Sequence, residues 1–183
     1  MTSILKVTEI QDPTNSNTAL SIDSSGNLTA PQQFTSKVVL ARIYATSNQS
    51  ISNLTTTTVA FSTVGTDRMS FADVSNNRLT VPSGLGGFYS LKASVRCNNF
   101  TPNRAVLAIQ KNGTDVAATE LAGYSANAGE YQWVQVEWKE ECAAGDHITC
   151  TFYHSYGSSQ SLYAGTASQQ PWTNYLEMMK IGD

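Results

Sequence analysis

Arg78-Leu79-Thr80-Val81-Pro82, Ser83-Gly84-Leu85-Gly86-Gly87 and Phe88-Tyr89-Ser90-Leu91-Lys92-Ala93-Ser94-Val95 follow one another without a break. The first segment is a short apolar strand that stops at a proline, a residue with no N–H for a strand ladder. The second is glycine-rich, so its backbone can take a corner that side chains resist. The third alternates apolar and polar residues with the period of two that marks a half-buried strand. Together they punctuate a β-sandwich that folds back at its rim. A strand, not a helix, leaves the glycines. Gly84-x-Gly86-Gly87 therefore reads as a corner and not as a phosphate cradle.

Working outward, the same grammar recurs about every ten residues. Strands are predicted over 38–44, 55–63 (with Val59 and Phe61 facing one way), 69–71 and 79–81, around a Ser75-Asn76-Asn77 turn. Further strands cover 87–97, 105–111, 116–121, 131–137, 147–153 and 175–181. Lys111 runs into Asn112-Gly113, the strongest short hairpin signal in the chain. Helical periodicity is almost absent, and about ten strands suit a two-sheet sandwich.

Residues 1–33 read differently. Two short alternating stretches, 4–10 and 19–23, are separated by Gln11-Asp12-Pro13-Thr14-Asn15, and Leu28-Thr29 returns after a Ser24-Ser25-Gly26-Asn27 turn. Leu5, Val7, Ile10, Leu20, Ile22 and Leu28 are too few to close a core, and isolated ribbons of this size are marginal in water. They are expected to bury themselves on a partner or on copies of themselves. The expected organisation is an arm, residues 1–33, and a sandwich head, residues 34–183.

Composition narrows the function classes. Only 14% of the 183 residues are charged, against about 25% in an ordinary soluble domain. Ser, Thr, Asn and Gln carry the solubility instead, as in extracellular β-proteins and virus appendages. A net charge of −3 with no basic run argues against nucleic acid as a partner. No window of about 18 apolar residues is present, so membrane insertion is not expected. The opening Met1-Thr2-Ser3-Ile4-Leu5-Lys6 has neither a basic start nor a long apolar run, so either a secretory signal has been removed or the protein reaches its site by another route, of which assembly into a virus particle inside a cell is one. Cys97, Cys142 and Cys150 form an odd set without metal-ligand spacing, and Cys97 and Cys150, in strand-like runs, read as small buried hydrophobes.

The Val81-Pro82 to Phe88-Tyr89 corner, the Lys111-Asn112-Gly113 hairpin, the Gly145-Asp146 turn and the C-terminal strand occur in the order of the C1q/TNF-like trimeric jelly roll. The chain resembles that family over residues 38–183. The resemblance implies an all-β, two-sheet antiparallel β-sandwich, here with an extended N-terminal β arm, and a homotrimer. There are departures. Pro171-Trp172-Thr173-Asn174-Tyr175-Leu176 stands where the family has a Phe-x-Gly stretch, and no Gly-X-Y stem precedes the head. The arm resembles the opening segment of phage tail-fibre and virion proteins. This resemblance implies a virion structural protein that contacts other virion proteins through the arm and attaches to a host-cell glycan or protein. A capsid decoration protein and a soluble lectin-like module are the alternatives.

Candidate chemistry is sparse. His147 and His154 are seven residues apart, about 23 Å on an extended chain and on opposite faces, so they make no metal pair. Glu137, Glu140, Glu141 and Asp146 offer the carboxylates a glycosidase needs, but no sugar platform accompanies them, and they read as an exposed loop. No Ser/His/Asp order or zinc motif occurs, so neither catalysis nor a cofactor is expected. The expected binding residues are Tyr124, Tyr131, Tyr156, Tyr163 and Trp172, set among Gly, Ser and Gln as in adaptable binding loops. The competing role for these aromatics is to cap the sandwich or pack between subunits.

Overall fold

The computed structural model describes residues 9–11, 18–22, 24–25, 28–29, 39–98, 104–122 and 131–183. The chain divides into two compact units, Met1–Lys37 and Val38–Asp183. In the first, β1 (Glu9–Gln11), β2 (Thr18–Ile22) and β3 (Leu28–Thr29) form an antiparallel sheet in the order β1-β2-β3. Its register sets Ile10 opposite Leu20 and Ile22 opposite Leu28.

The second unit holds β4 (Leu40–Tyr44), β5 (Gln49–Ile51), β6 (Thr57–Thr58), β7 (Thr63–Asp67), β8 (Ala72–Asp73) and β9 (Arg78–Thr80). The long strands follow: β10 (Gly87–Asn98), β11 (Arg104–Lys111), β12 (Thr114–Ala122), β13 (Tyr131–Cys142) and β14 (His147–His154). β15 (Gln160–Leu162), the one-turn helix α1 (Gln170–Thr173) and β16 (Tyr175–Gly182) complete it. One antiparallel sheet has the order β5-β15-β10-β16-β4-β7, with β13 on the other flank of β10. The second has the order β12-β11-β14-β9-β8, with β6 also on β14.

The core lies between these sheets. Alternation sends Tyr89, Leu91, Ala93, Val95 and Cys97 of β10 inward, and all are buried. They face Ala105, Leu107 and Ile109 of β11 and Ile148, Cys150 and Phe152 of β14 across one continuous cluster. Val59 and Phe61 are both buried, as their shared parity requires, although the ladder is interrupted between β6 and β7. All three cysteines are free and buried. Desolvation pushes the Cys97 thiol up to about 12 and the Cys142 thiol up to about 11.

Two expectations need correction. Residues 69–71 form no strand. Instead the Asp67 carboxylate accepts the N–H groups of Met69, Phe71 and Ala72, and that loop drives Phe71 into the core. Glu137, Glu140 and Glu141 do not sit on a loop. β13 continues through Cys142 because β10 pairs with it residue for residue, from Gly87 opposite Cys142 to Asn98 opposite Tyr131.

The opening corner has distinct parts. Leu85 donates its N–H to the Pro82 carbonyl at 3.2 Å, with Gly84 at φ 77°, as a type II turn needs. Gly87 has φ 146°, and a Cβ there would collide with the Gly182 carbonyl oxygen. A Cβ at Gly84 would meet nothing within 4 Å. We expect Gly87→Ala to cost about 2–4 kcal/mol and Gly84→Ala about 1 kcal/mol, read as urea midpoints. Equal losses at the two positions would contradict this account of the corner.

Candidate functional site

The outward face of the larger sheet is where chemistry collects, and strand register sorts it into three bands. At one end stand Phe88, Met179 and Ile181, all exposed. In the middle, Lys92 lies opposite Glu137 on one side and Glu177 on the other. Arg42 of β4 donates from Nε to Glu177 Oε2 at 2.7 Å and lies 4.7 Å from the Tyr175 ring centre. At the far end, Arg96 lies opposite Trp133, and Tyr131 opens β13.

A break in the sheet positions Arg96. β10 pairs with β16 as far as Ser94, opposite Tyr175, and then with β15 at Cys97, opposite Leu162. Between them, the Arg96 N–H donates to Asn174 Oδ1 at 2.7 Å, and the Arg96 carbonyl accepts the Tyr163 N–H at 2.6 Å. Asn174 is itself buried, and its carbonyl accepts the Ala45 N–H at 2.9 Å. The segment from β15 to β16 is pinned by Thr173, whose Oγ1 donates to the Ala164 carbonyl at 2.6 Å. Pro171 stands second in α1, within the first turn, where the missing N–H costs nothing.

The Arg96 guanidinium carbon lies 4.0 Å from the Tyr131 ring centre, 4.5 Å from that of Tyr163 and 5.5 Å from that of Trp133. The two tyrosine rings stack on each other at 5.0 Å. Arg96 is only 5% exposed. Beside it opens a hollow of about 310 Å³ lined by Arg96, Trp133, Ser168, Gln169, Trp172 and Thr173.

Of the aromatics read from the sequence, Tyr131 and Tyr163 come into direct contact, and Trp172 lines the adjoining hollow. Tyr156 packs partly buried against the core, the capping role. Tyr124 lies outside the described residues, as do Leu5 and Val7 of the arm. Sequence reasoning missed Arg96 and Trp133. The available signal was parity: both fall on the outward side of long strands, where Arg and Trp are uncommon company for Ser and Gln.

Two of the four carboxylates, Glu140 and Asp146, are held by partners in the fold. Lys111 Nζ of β11 donates to Glu140 Oε1 at 2.5 Å and to the Glu141 carbonyl at 2.9 Å, joining the two sheets at the rim. Trp138 Nε1 donates to the other Glu140 oxygen at 3.1 Å. These hydrogen bonds, the lysine's foremost, hold the Glu140 carboxyl below its ordinary range. Asp146 is likewise lowered, chiefly by the Asn112 amide, which donates to it at 2.7 Å. Both ring nitrogens of His154 are engaged: Nδ1 accepts the Tyr156 N–H, which leaves Nε2 to donate to the Ile51 carbonyl. Among the described residues no group of three or more His, Cys, Asp or Glu could hold a metal ion. Nor, among them, is any helix long and apolar enough to cross a membrane.

No family model matches the sequence, and no curated protein matches it. Solved structures do share its fold. It is similar to Eiger TNF from S. frugiperda, with a TM-score of 0.58 and 10% identity over 80% of this chain and 94% of that one. It is also similar to murine APRIL, with a TM-score of 0.54 and 14% identity over 78% of this chain and 99% of that one. The fold is a TNF-like jelly-roll β-sandwich. At these identities the likeness speaks for the fold alone.

The Lys111–Glu140 pair gives a pH signature. A carboxyl lowered in the folded state contributes stability above its unfolded value, about 4.3, and loses it as pH falls through the folded value. We expect Glu140→Gln to cost about 0.5–1 kcal/mol at neutral pH, with the gap to the parent closing below about pH 4. A urea-midpoint series against pH reads this. A gap that persists in acid would show that the pair is not its source.

Proposed function

We propose that this chain is a surface structural protein of a bacteriophage virion, used in host attachment as a short fibre or fibre head. Residues 1–33 dock it on other virion proteins, with Leu5, Val7, Ile10, Leu20, Ile22 and Leu28 as contacts. Residues 34–183 form a homotrimeric head, and its role is binding, without catalysis or cofactor.

The observation that carries the self-association is the outward sheet face. Phe88, Met179 and Ile181 stand exposed together at one end of it. An apolar patch on the open side of a sheet marks an interface. The resemblance to trimeric jelly rolls supports a closed three-fold ring as the way copies cover it. The arm's resemblance to phage fibre openings supports the virion assignment. Glu140 lines a hollow of about 600 Å³ at the rim with Glu141 and Asp146, and its ties to Lys111 and Trp138 support binding over hydrolysis, because both of its carboxylate oxygens are already engaged.

Light scattering is expected to give about 59 kDa, three times the 19.8 kDa chain. Met179→Lys with Ile181→Lys is expected to yield a folded monomer with unchanged far-ultraviolet circular dichroism. A monomeric parent chain at micromolar concentration would remove the trimer.

Antibody labelling of assembled particles tests the location, with tail labelling as the expected result. Labelling of the shell would replace the fibre by a decoration protein. A chain found on no particle would leave a soluble lectin-like module.

A further inference from the structure

We infer that the hollow beside Arg96 is a binding site for one carboxylated sugar unit of an anionic surface glycan, such as a uronate or a sialyl residue. The inference rests on the reading that the head recognises a host-cell ligand. Arg96 stands on the same sheet face as the apolar band at Phe88, about 26 Å along β10 from it, so the inference requires that copies meeting on that band leave the hollow open.

The first argument is electrostatic. Arg96 carries a guanidinium and is more than nine-tenths buried. A buried charge is costly unless something compensates it. Among the described residues, no carboxylate forms an ion pair with it, and its Nε has no hydrogen-bond partner. Nη1 reaches only Gln169 Oε1, at 3.5 Å. Tyr131, Tyr163 and Trp133 offset part of the cost through their ring faces. They satisfy none of the N–H groups, and a guanidinium has five of these in a planar fork. A carboxylate from outside matches that fork two bonds at a time.

The second argument comes from the other walls. Trp172 is 67% exposed and Trp133 45% exposed, and both line the hollow, Trp133 with its ring also against Arg96. Indole surface suits the C–H face of a pyranose. Ser168 and Gln169 also line it; Gln169 Oε1 already accepts the Thr166 N–H at 3.2 Å and Ser168 Oγ lies 3.2 Å from Thr166 Oγ1, so the Gln169 amide nitrogen is the group they add for a sugar hydroxyl. Thr173 is already committed to the Ala164 and Gln170 carbonyls. The hollow's 310 Å³ sits at the small end of the ligand-site range of about 300–1,000 Å³, which suits one sugar. A peptide carboxylate would use the guanidinium and leave the indole pair idle.

The site is also pre-formed. The Asn174 and Tyr163 hydrogen bonds fix the backbone of Arg96 on both sides, and the stacked tyrosines fix its side chain. Little ordering is left to offset binding.

Calorimetric titration of the full chain with 3′-sialyllactose and with an alginate tetrasaccharide tests this, with lactose and maltotetraose as neutral controls. At least one acidic sugar is expected to bind at least about tenfold more tightly than its neutral counterpart. Which one binds separates a sialyl from a uronate ligand. Trp172→Ala is expected to weaken binding at least about fivefold, and its exposure makes loss of folding no issue. Arg96→Gln is expected to abolish the preference for the acid, judged on protein with native circular dichroism.

Four results would overturn the inference. Neither acidic sugar binds up to about 10 mM; acidic and neutral sugars bind equally; Trp172→Ala has no effect; or a structure of the oligomer shows a neighbouring copy's carboxylate on Arg96. Light scattering and particle labelling on the same preparation keep the two readings apart. A trimer found on the tail that ignores both sugars ends this inference and leaves the attachment role standing.

Discussion

Strand β10 is the constraint on which the rest depends. It is twelve residues long and pairs along its full length with β13, so one flank is closed without a gap. Its inward residues supply the centre of the core, and its outward residues set the register of the exposed face. The other flank is shared between β16 and β15, and the junction falls at Arg96. A backbone N–H at such a junction has lost its ladder partner and must find another. Asn174 supplies it from a buried side chain. One local deficiency in the ladder thus fixes both the end of β16 and the position of the most unusual charge in the head.

The scarcity of charge in this chain gives each ion pair a readable task. Lys111 and Glu140 tie the two sheets at the rim. Arg42 and Glu177 organise the middle of the outward face. Arg78 and Asp73 close a short turn, where Ser75 and Asn76 first and Arg78 after them lower the Asp73 carboxyl to about 2. Arg96 stands apart, because it is packed by rings and meets no acid among the described residues. A guanidinium is the cation best suited to that environment, being planar and weakly hydrated.

The polar band between the two ends of the face separates two kinds of surface. The Phe88 end is apolar, with Phe88, Met179 and Ile181 exposed. The Arg96 end is concave, aromatic and charged, which suits a small polar ligand. Tyr131 and Tyr163 stack on each other and pack their rings against the Arg96 guanidinium.

Much of the fold was legible in the sequence, since alternation and turn residues are local. The proline-glycine corner, the Asn112-Gly113 hairpin and the inward set of β10 follow from period two and positive φ, which need no distant partner. The extra length of β13 was not legible, because Glu140 and Glu141 are strand residues only by virtue of β10 opposite them. The Asp67 loop was missed for a related reason: a carboxylate gathering three N–H groups looks in sequence like any turn. Tyr131, Tyr163 and Trp172 could be named as loop aromatics, but their meeting could not, because 32 residues separate the tyrosines. By itself the sequence determined that this is an all-β sandwich. Only the tertiary structure decided that Arg96 is buried among rings beside an open hollow, because burial and the lack of a counter-charge depend on everything folded around a residue.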